Sequence, residues 1–146
     1  MHMLMRSYLS VVTIGYGTVC LYGGVSKQAQ KAELRANGGV DVVVATPGRL
    51  EDLLDEGVLS LDDILCLVLD EADRMLDDGF EPAIRRIVGR CPEPAGSGGV
   101  GKRGRQTVMF SATWPEEIRK LAGTFLRSED LVRVTVGSED LSANTR

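Results

Sequence analysis

The 146-residue sequence has no apolar run as long as the roughly 18 to 20 residues that a helical membrane span requires. Its opening stretch, residues 1–16, makes a weak signal peptide. Arg6 is the one fixed positive charge there, and no small-residue cleavage site leads into a mature domain. Cysteine is scarce: Cys20, Cys66 and Cys91 are odd in number and lack C-x-x-C spacing, so they read as reduced, mostly buried thiols of an intracellular protein. An excess of positive charge is missing too. With 17 Lys and Arg against 21 Asp and Glu the net charge is -4, which gives no bulk attraction to nucleic acid; any such contact must come from locally placed groups.

What is present suits one packed domain, with 43% hydrophobic residues and a modest 5% aromatics. Acids dominate from Glu51 to Glu81, whereas Arg85, Arg86, Arg90, Lys102, Arg103 and Arg105 make the following stretch basic. Solvated helix faces and a soluble loop account for most of these charges.

Short apolar, β-branched runs alternate with helical patterns, which predicts an α/β fold of parallel strands joined by helical crossovers. The expected strands are Thr18 to Tyr22, Asp41 to Ala45, Leu65 to Leu69, Thr107 to Phe110 and Val132 to Val136, apolar enough for a sheet covered on both faces. Ser26 is placed to cap a helix ending at Asn37-Gly38-Gly39, and Thr46 to cap one with Pro47 at its first position. Thr113 followed by Glu116 has the spacing of a capping box, with Ile118, Leu121, Ala122, Phe125 and Leu126 as one apolar face. Phe80, Ala83, Ile84, Ile87 and Val88 repeat that spacing; both stripes are core. Residues 92–104, rich in Gly, Pro and Ser, read as a mobile surface loop.

Three strands run into polar residues: Val42 to Ala45 into Thr46, Cys66 to Leu69 into Asp70 and Glu71, and Val108 to Phe110 into Ser111-Ala112-Thr113. In an open parallel sheet such ends share one edge, and ligands bind in the crevice beyond it. Two adjacent carboxylates leaving a buried strand suit nucleotide hydrolysis, Asp70 holding hydrated Mg2+ on the phosphates and Glu71 orienting and deprotonating the attacking water. Asp73 is close enough in sequence to reach the hydroxyls of Ser111 or Thr113. A single acid at this position is equally what a helix dipole favours, so the combination carries the reading.

Val68-Leu69-Asp70-Glu71-Ala72-Asp73-Arg74-Met75-Leu76 resembles motif II of the DEAD-box RNA helicases, Ser111-Ala112-Thr113 motif III, Ala45-Thr46-Pro47-Gly48-Arg49-Leu50 motif Ib and Tyr22-Gly23-Gly24 the GG motif, all in family order. The resemblance implies a RecA-like, P-loop NTPase type open parallel sheet with flanking helices and ATP-dependent RNA remodelling. ATP and Mg2+ would lie at Asp70 and Glu71, with Asp73, Ser111 and Thr113 coupling the nucleotide site to RNA. Gly23, Gly24, Thr46 and Arg49 would contact the RNA backbone independently of base sequence. Glycines let main chain approach phosphate, and a helix N-terminus with a cation favours it; a tight turn and an ordinary cap are the plainer readings of the same residues. The strings Cys20 to Gln30 and Val136 to Asn144 resemble the branch containing nucleolar ribosome-assembly helicases, which implies pre-ribosomal particles as partners and a nuclear or nucleolar address.

Gly96-Ser97-Gly98-Gly99-Val100-Gly101-Lys102 has the glycine and lysine spacing of a phosphate-binding loop, but Arg103 stands where a Mg2+-binding hydroxyl is needed and the segment precedes a strand. The family's Q motif, true P-loop and motif Ia precede the GG motif, and nothing in residues 1–16 matches them. Residues 1–16 are therefore expected to be a divergent segment, 17–136 a partial first lobe lacking its P-loop unit, and 137–146 the start of a linker to an absent second lobe. The chain by itself is expected to be inactive. The alternatives are a non-catalytic truncated product that binds RNA or a partner, and a nucleotide hydrolase with no RNA role, against which the Thr46 to Arg49 motif argues.

Overall fold

The computed structural model describes residues 17–36, 40–94, 104–126 and 131–137. Asn37-Gly38-Gly39, the Gly96 to Lys102 run and residues 1–16 lie outside the described residues. The chain order is β1 (Thr18–Leu21), α1 (Lys27–Ala36), β2 (Val42–Ala45), α2 (Pro47–Asp55), β3 (Cys66–Leu69), α3 (Ala72–Asp77), α4 (Glu81–Val88), β4 (Gln106–Met109) and α5 (Glu116–Phe125).

The β-branched runs pair as parallel strands in two ladders. In the first, β1 and β2 run in register from Thr18 opposite Val42 to Leu21 opposite Ala45. In the second, β3 and β4 run from Cys66 opposite Gln106 to Leu69 opposite Met109. Each ladder buries one apolar layer under helices. Val19, Leu21 and Leu53 pack with Leu34 and Leu50 on the first, and Leu69, Ile84, Leu121 and Phe125 with Met75 and Leu76 on the second. Fully burying a side chain such as Leu53 or Ile118 contributes about 1.5–3 kcal/mol.

The expected cover on both faces is not found among the described residues. On the faces turned away from Leu69 and Leu21, Val68 is 54% and Val44 38% exposed. The helices lie where their apolar stripes find buried partners, and those partners are on one side of each ladder. Among the described residues the expected strand Val132 to Val136 pairs with no other strand either, and Val134 is 78% and Val136 95% exposed.

A third apolar knot of Leu54, Leu61 and Ile87, with Ile64 and Cys91 against it, joins the two halves through α2 and α4. Ion pairs from Arg86 to Glu51 and from Arg90 to Asp55 cross the same seam. Buried Arg105, at the start of β4, donates to Thr107 Oγ1 (2.9 Å), to the Pro92 carbonyl (3.0 Å) and to the Val88 carbonyl (3.3 Å) at the end of α4. Its charge is thus met by a helix C-terminus, where cations are favoured. Backbone bonding between Arg105 and Glu93 (2.9 Å), beside a parallel bridge from Pro94 to Arg105, closes the neck of the 92–104 loop.

Candidate functional site

The second ladder delivers the acidic residues. Leu69 is the last buried residue of β3, and Asp70 emerges exposed after it, its Oδ1 accepting from the Glu71 N–H at 3.0 Å. Glu71 adopts a left-handed backbone (φ 53°, ψ 48°) just before α3, a conformation that costs a non-glycine residue about 1–2 kcal/mol. The sharp turn aims the Ala72 N–H at the Phe110 carbonyl (3.0 Å), which seats the start of α3 against the end of β4. The exposed Glu71 carboxylate lies 3.8 Å from Arg74 Nε.

Asp73 is the hub of this end. Its Oδ2 accepts from both the Thr113 hydroxyl (2.8 Å) and the Thr113 N–H (2.9 Å), and its Oδ1 from the Arg74 N–H (3.1 Å). Its own N–H donates to Ser111 Oγ at 3.3 Å. Partial desolvation alone would raise the Asp73 pKa; hydrogen bonds from Thr113 and Arg74 outweigh it and hold the carboxyl below its ordinary value. The expected capping box from Thr113 does not form. The helix N-cap is Pro115, and Thr113 is taken by Asp73 because a charged acceptor makes the stronger bond.

The first ladder delivers the other cluster. Beyond β1, Gly23 and Gly24 make an exposed turn, and Gly24 has φ +81°, a conformation that glycine adopts without strain. Beyond β2, half-buried Thr46 donates its N–H to the Leu21 carbonyl (2.9 Å) and accepts from Leu50 (3.1 Å). Its side chain makes no cap bond, contrary to expectation, and Pro47 starts the helix with its fixed φ and no N–H of its own to satisfy. Ser26 does cap α1, through Ala29 N–H at 3.4 Å. Arg49, at the start of α2, turns back beneath the glycine turn and donates from Nη2 to the Val25 carbonyl (3.2 Å) and from Nη1 to Gln30 Oε1 (2.5 Å).

The structure therefore brings Asp70, Glu71, Asp73, Ser111 and Thr113 together at one ladder end, and Gly23, Gly24, Thr46 and Arg49 at the other. Gln30 escaped the sequence reading. Its signal is a polar residue four before Leu34, on the apolar face of α1.

Comparison with known proteins decides the family: the model for DEAD/DEAH box helicases matches residues 2–121. The chain belongs to that family. Among curated DEAD-box proteins it is 54% identical over 133 residues to the ATP-dependent RNA helicase DBP3 of Cryptococcus neoformans, covering 91% of this chain and 20% of that protein. To DBP3 of Mycosarcoma maydis it is 52% identical, covering 92% and 21%, and to the DEAD-box ATP-dependent RNA helicase 5 of rice 48% identical, covering 89% and 23%. The chain thus spans about a fifth of the length of these relatives. Among solved structures, a hypothetical ATP-dependent RNA helicase from Sulfolobus tokodaii superposes with a TM-score of 0.71 at 33% identity, covering 88% of this chain and 36% of the other. The yeast DEAD-box splicing factor Prp28 gives 0.67 at 31% identity, covering 84% and 26%. The two ladders and their helices are accordingly part of a DEAD-box RecA-like lobe, in an enzyme family that hydrolyses ATP.

The family implies ATP, and Mg2+ is typical of such ATPases. The donors fit that ion in kind, because Asp70 and Glu71 offer exposed carboxylate oxygens, the ligands a hard cation prefers. They do not amount to a cage: among the described residues no three His, Cys, Asp or Glu side chains are grouped to hold a metal. Water and nucleotide phosphate would have to complete the shell. Among the described residues no helix is long and apolar enough to cross a membrane.

Proposed function

We propose that this chain is a segment of the first ATPase lobe of an ATP-dependent RNA helicase that remodels RNA duplexes, within pre-ribosomal particles during ribosomal RNA processing in the nucleus or nucleolus. Asp70 would hold hydrated Mg2+, which would supply charge neutralisation to the phosphates of bound ATP, and Glu71 would orient and deprotonate the attacking water. Asp73 with Ser111 and Thr113 couples that site to RNA, which Gly23, Gly24, Thr46 and Arg49 grip by its backbone. A second lobe completes the machine. The observation that carries this reading is the double hydrogen bond from Thr113 to Asp73: a carboxylate two residues beyond the proposed catalytic acid is tied to the strand end 40 residues away, so a shift at either is felt at the other. The strings Cys20 to Gln30 and Val136 to Asn144, which resemble the branch containing nucleolar ribosome-assembly helicases, support the ribosomal assignment.

The Gly96 to Lys102 run has P-loop-like spacing, but Arg103 follows it where a Mg2+-binding hydroxyl is needed, and we propose that this chain by itself gives no RNA-stimulated ATP hydrolysis. Binding of RNA is the direct test. Titration of the chain with single-stranded RNAs of equal length and different base composition, at several salt concentrations, is expected to give matching affinities. Their logarithm should fall linearly with log salt, by about 0.7 per phosphate contacted. Salt-independent binding or a strong base preference would refute the proposed RNA face.

A further inference from the structure

We infer that Gln30 is a positioning residue that locks the Gly23–Gly24 turn and Arg49 into one preorganised phosphate-facing unit. The inference rests on the proposed RNA contact of that turn.

Gln30 is a polar side chain only 4% exposed, facing the first ladder's core. Such a residue is retained at a cost unless its hydrogen bonds are made. Here both halves of the carboxamide are used: Nε2 donates to the Tyr22 carbonyl (3.2 Å) and Oε1 accepts from Arg49 Nη1 (2.5 Å). Arg49 Nη2 then reaches the Val25 carbonyl (3.2 Å). Tyr22 and Val25 are the residues immediately before and after the two glycines, so the pair fastens the turn at both ends from beneath.

Chemistry narrows the side chain that can do this. The position needs a donor toward Tyr22 and an acceptor toward Arg49 on one planar group; a carboxylate supplies no donor and an apolar side chain supplies neither. The turn needs fastening because its residues resist little on their own. A side chain built at Gly23 or Gly24 would meet open space, so no neighbouring atoms crowd the turn into place. Ordering one free backbone residue on binding lowers affinity by roughly ten-fold, and Gln30 removes that loss before the ligand arrives. Because Gln30 and Val25 engage Nη1 and Nη2 of Arg49, its share in the proposed grip on RNA is exerted through the turn it holds.

The experiment uses the 146-residue chain with Gln30→Met, Arg49→Ala and the double substitution. It reads single-stranded RNA affinity and the backbone 15N order parameters of Gly23 and Gly24, with urea midpoints as a control for global stability. Each single change is expected to weaken RNA binding about ten-fold and to lower the order parameters of the two glycines, and the double change to do no more than the worse single one. Additive losses, or unchanged order parameters in Gln30→Met, would overturn the inference. Should Gln30→Met not fold, Gln30→Glu replaces it, keeping the acceptor for Arg49 and losing the donor to Tyr22; unchanged glycine order there is equally fatal. If the unsubstituted chain binds no RNA, the RNA reading itself fails, and the glycine order parameters alone then decide whether Gln30 fastens the turn.

Discussion

Replacing Thr113 by valine keeps the shape of the side chain and the Thr113 N–H bond while deleting the 2.8 Å hydroxyl bond to Asp73. A hydrogen bond to a charged acceptor contributes about 1.5–3 kcal/mol when both groups are sheltered. Thr113 is exposed and Asp73 only half-buried, so water recovers much of this and the expected loss is about 1 kcal/mol. Asp73→Ala removes all three bonds accepted by the carboxylate, for about 2 kcal/mol. Because both changes delete the same contact, the double variant should fall short of their sum by roughly 1 kcal/mol in urea unfolding. The sign of the pH dependence follows from the lowered Asp73 pKa: the contribution is complete above the unfolded value of about 3.9 and is lost as pH falls through the lower folded value. The coupling should therefore be the same at pH 7 and pH 5 and shrink only below about pH 4. A coupling indistinguishable from zero at pH 7, or one that fades between pH 7 and pH 5, would refute the latch.

The left-handed backbone of Glu71 separates two substitutions. Glu71→Gly trades about 1–2 kcal/mol of relieved strain against about 0.5–1 kcal/mol of extra chain entropy, so the urea midpoint should hold or rise slightly, whereas β-branched Glu71→Val should lower it clearly. Across α1 and α2, hydrogen bonds from Lys31 and then Lys27 hold the Glu56 carboxyl down at about 2. A depressed carboxylate stabilises above its unfolded pKa of about 4.3 and loses that contribution as pH falls toward 2. Glu56→Gln should accordingly flatten the stability profile between those limits, and an unaltered slope would show that the lysines do not hold this acid in solution.

Much of the fold was legible because its strands are short apolar runs closed by polar punctuation. Cys66 to Leu69 can be little else between an acidic turn and Asp70-Glu71. The buried faces of α4 and α5 follow from 3.6-residue spacing, except that Phe80, read as the start of the α4 stripe, is its N-cap and 36% exposed. Local reading failed where a distant partner offered a better bond. Thr113 has the right spacing to cap a helix, yet a carboxylate 40 residues upstream takes its hydroxyl. Gln30 gives no hint of the guanidinium it meets 19 residues on. Val132 to Val136 reads as a strand from composition, but a strand exists only with a neighbour, and periodicity does not supply one.

Arg105 gives the fold a further property. Because its guanidinium and the backbone bridge beside it fasten both ends of the 92–104 stretch, the register of β4 against β3 is set at the neck and not by what lies between. Doubling the enclosed length would cost only about 0.6 kcal/mol in closure entropy. Lengthening the stretch between the two sides of this neck is therefore expected to leave the strand that leads to Ser111 and Thr113 in place.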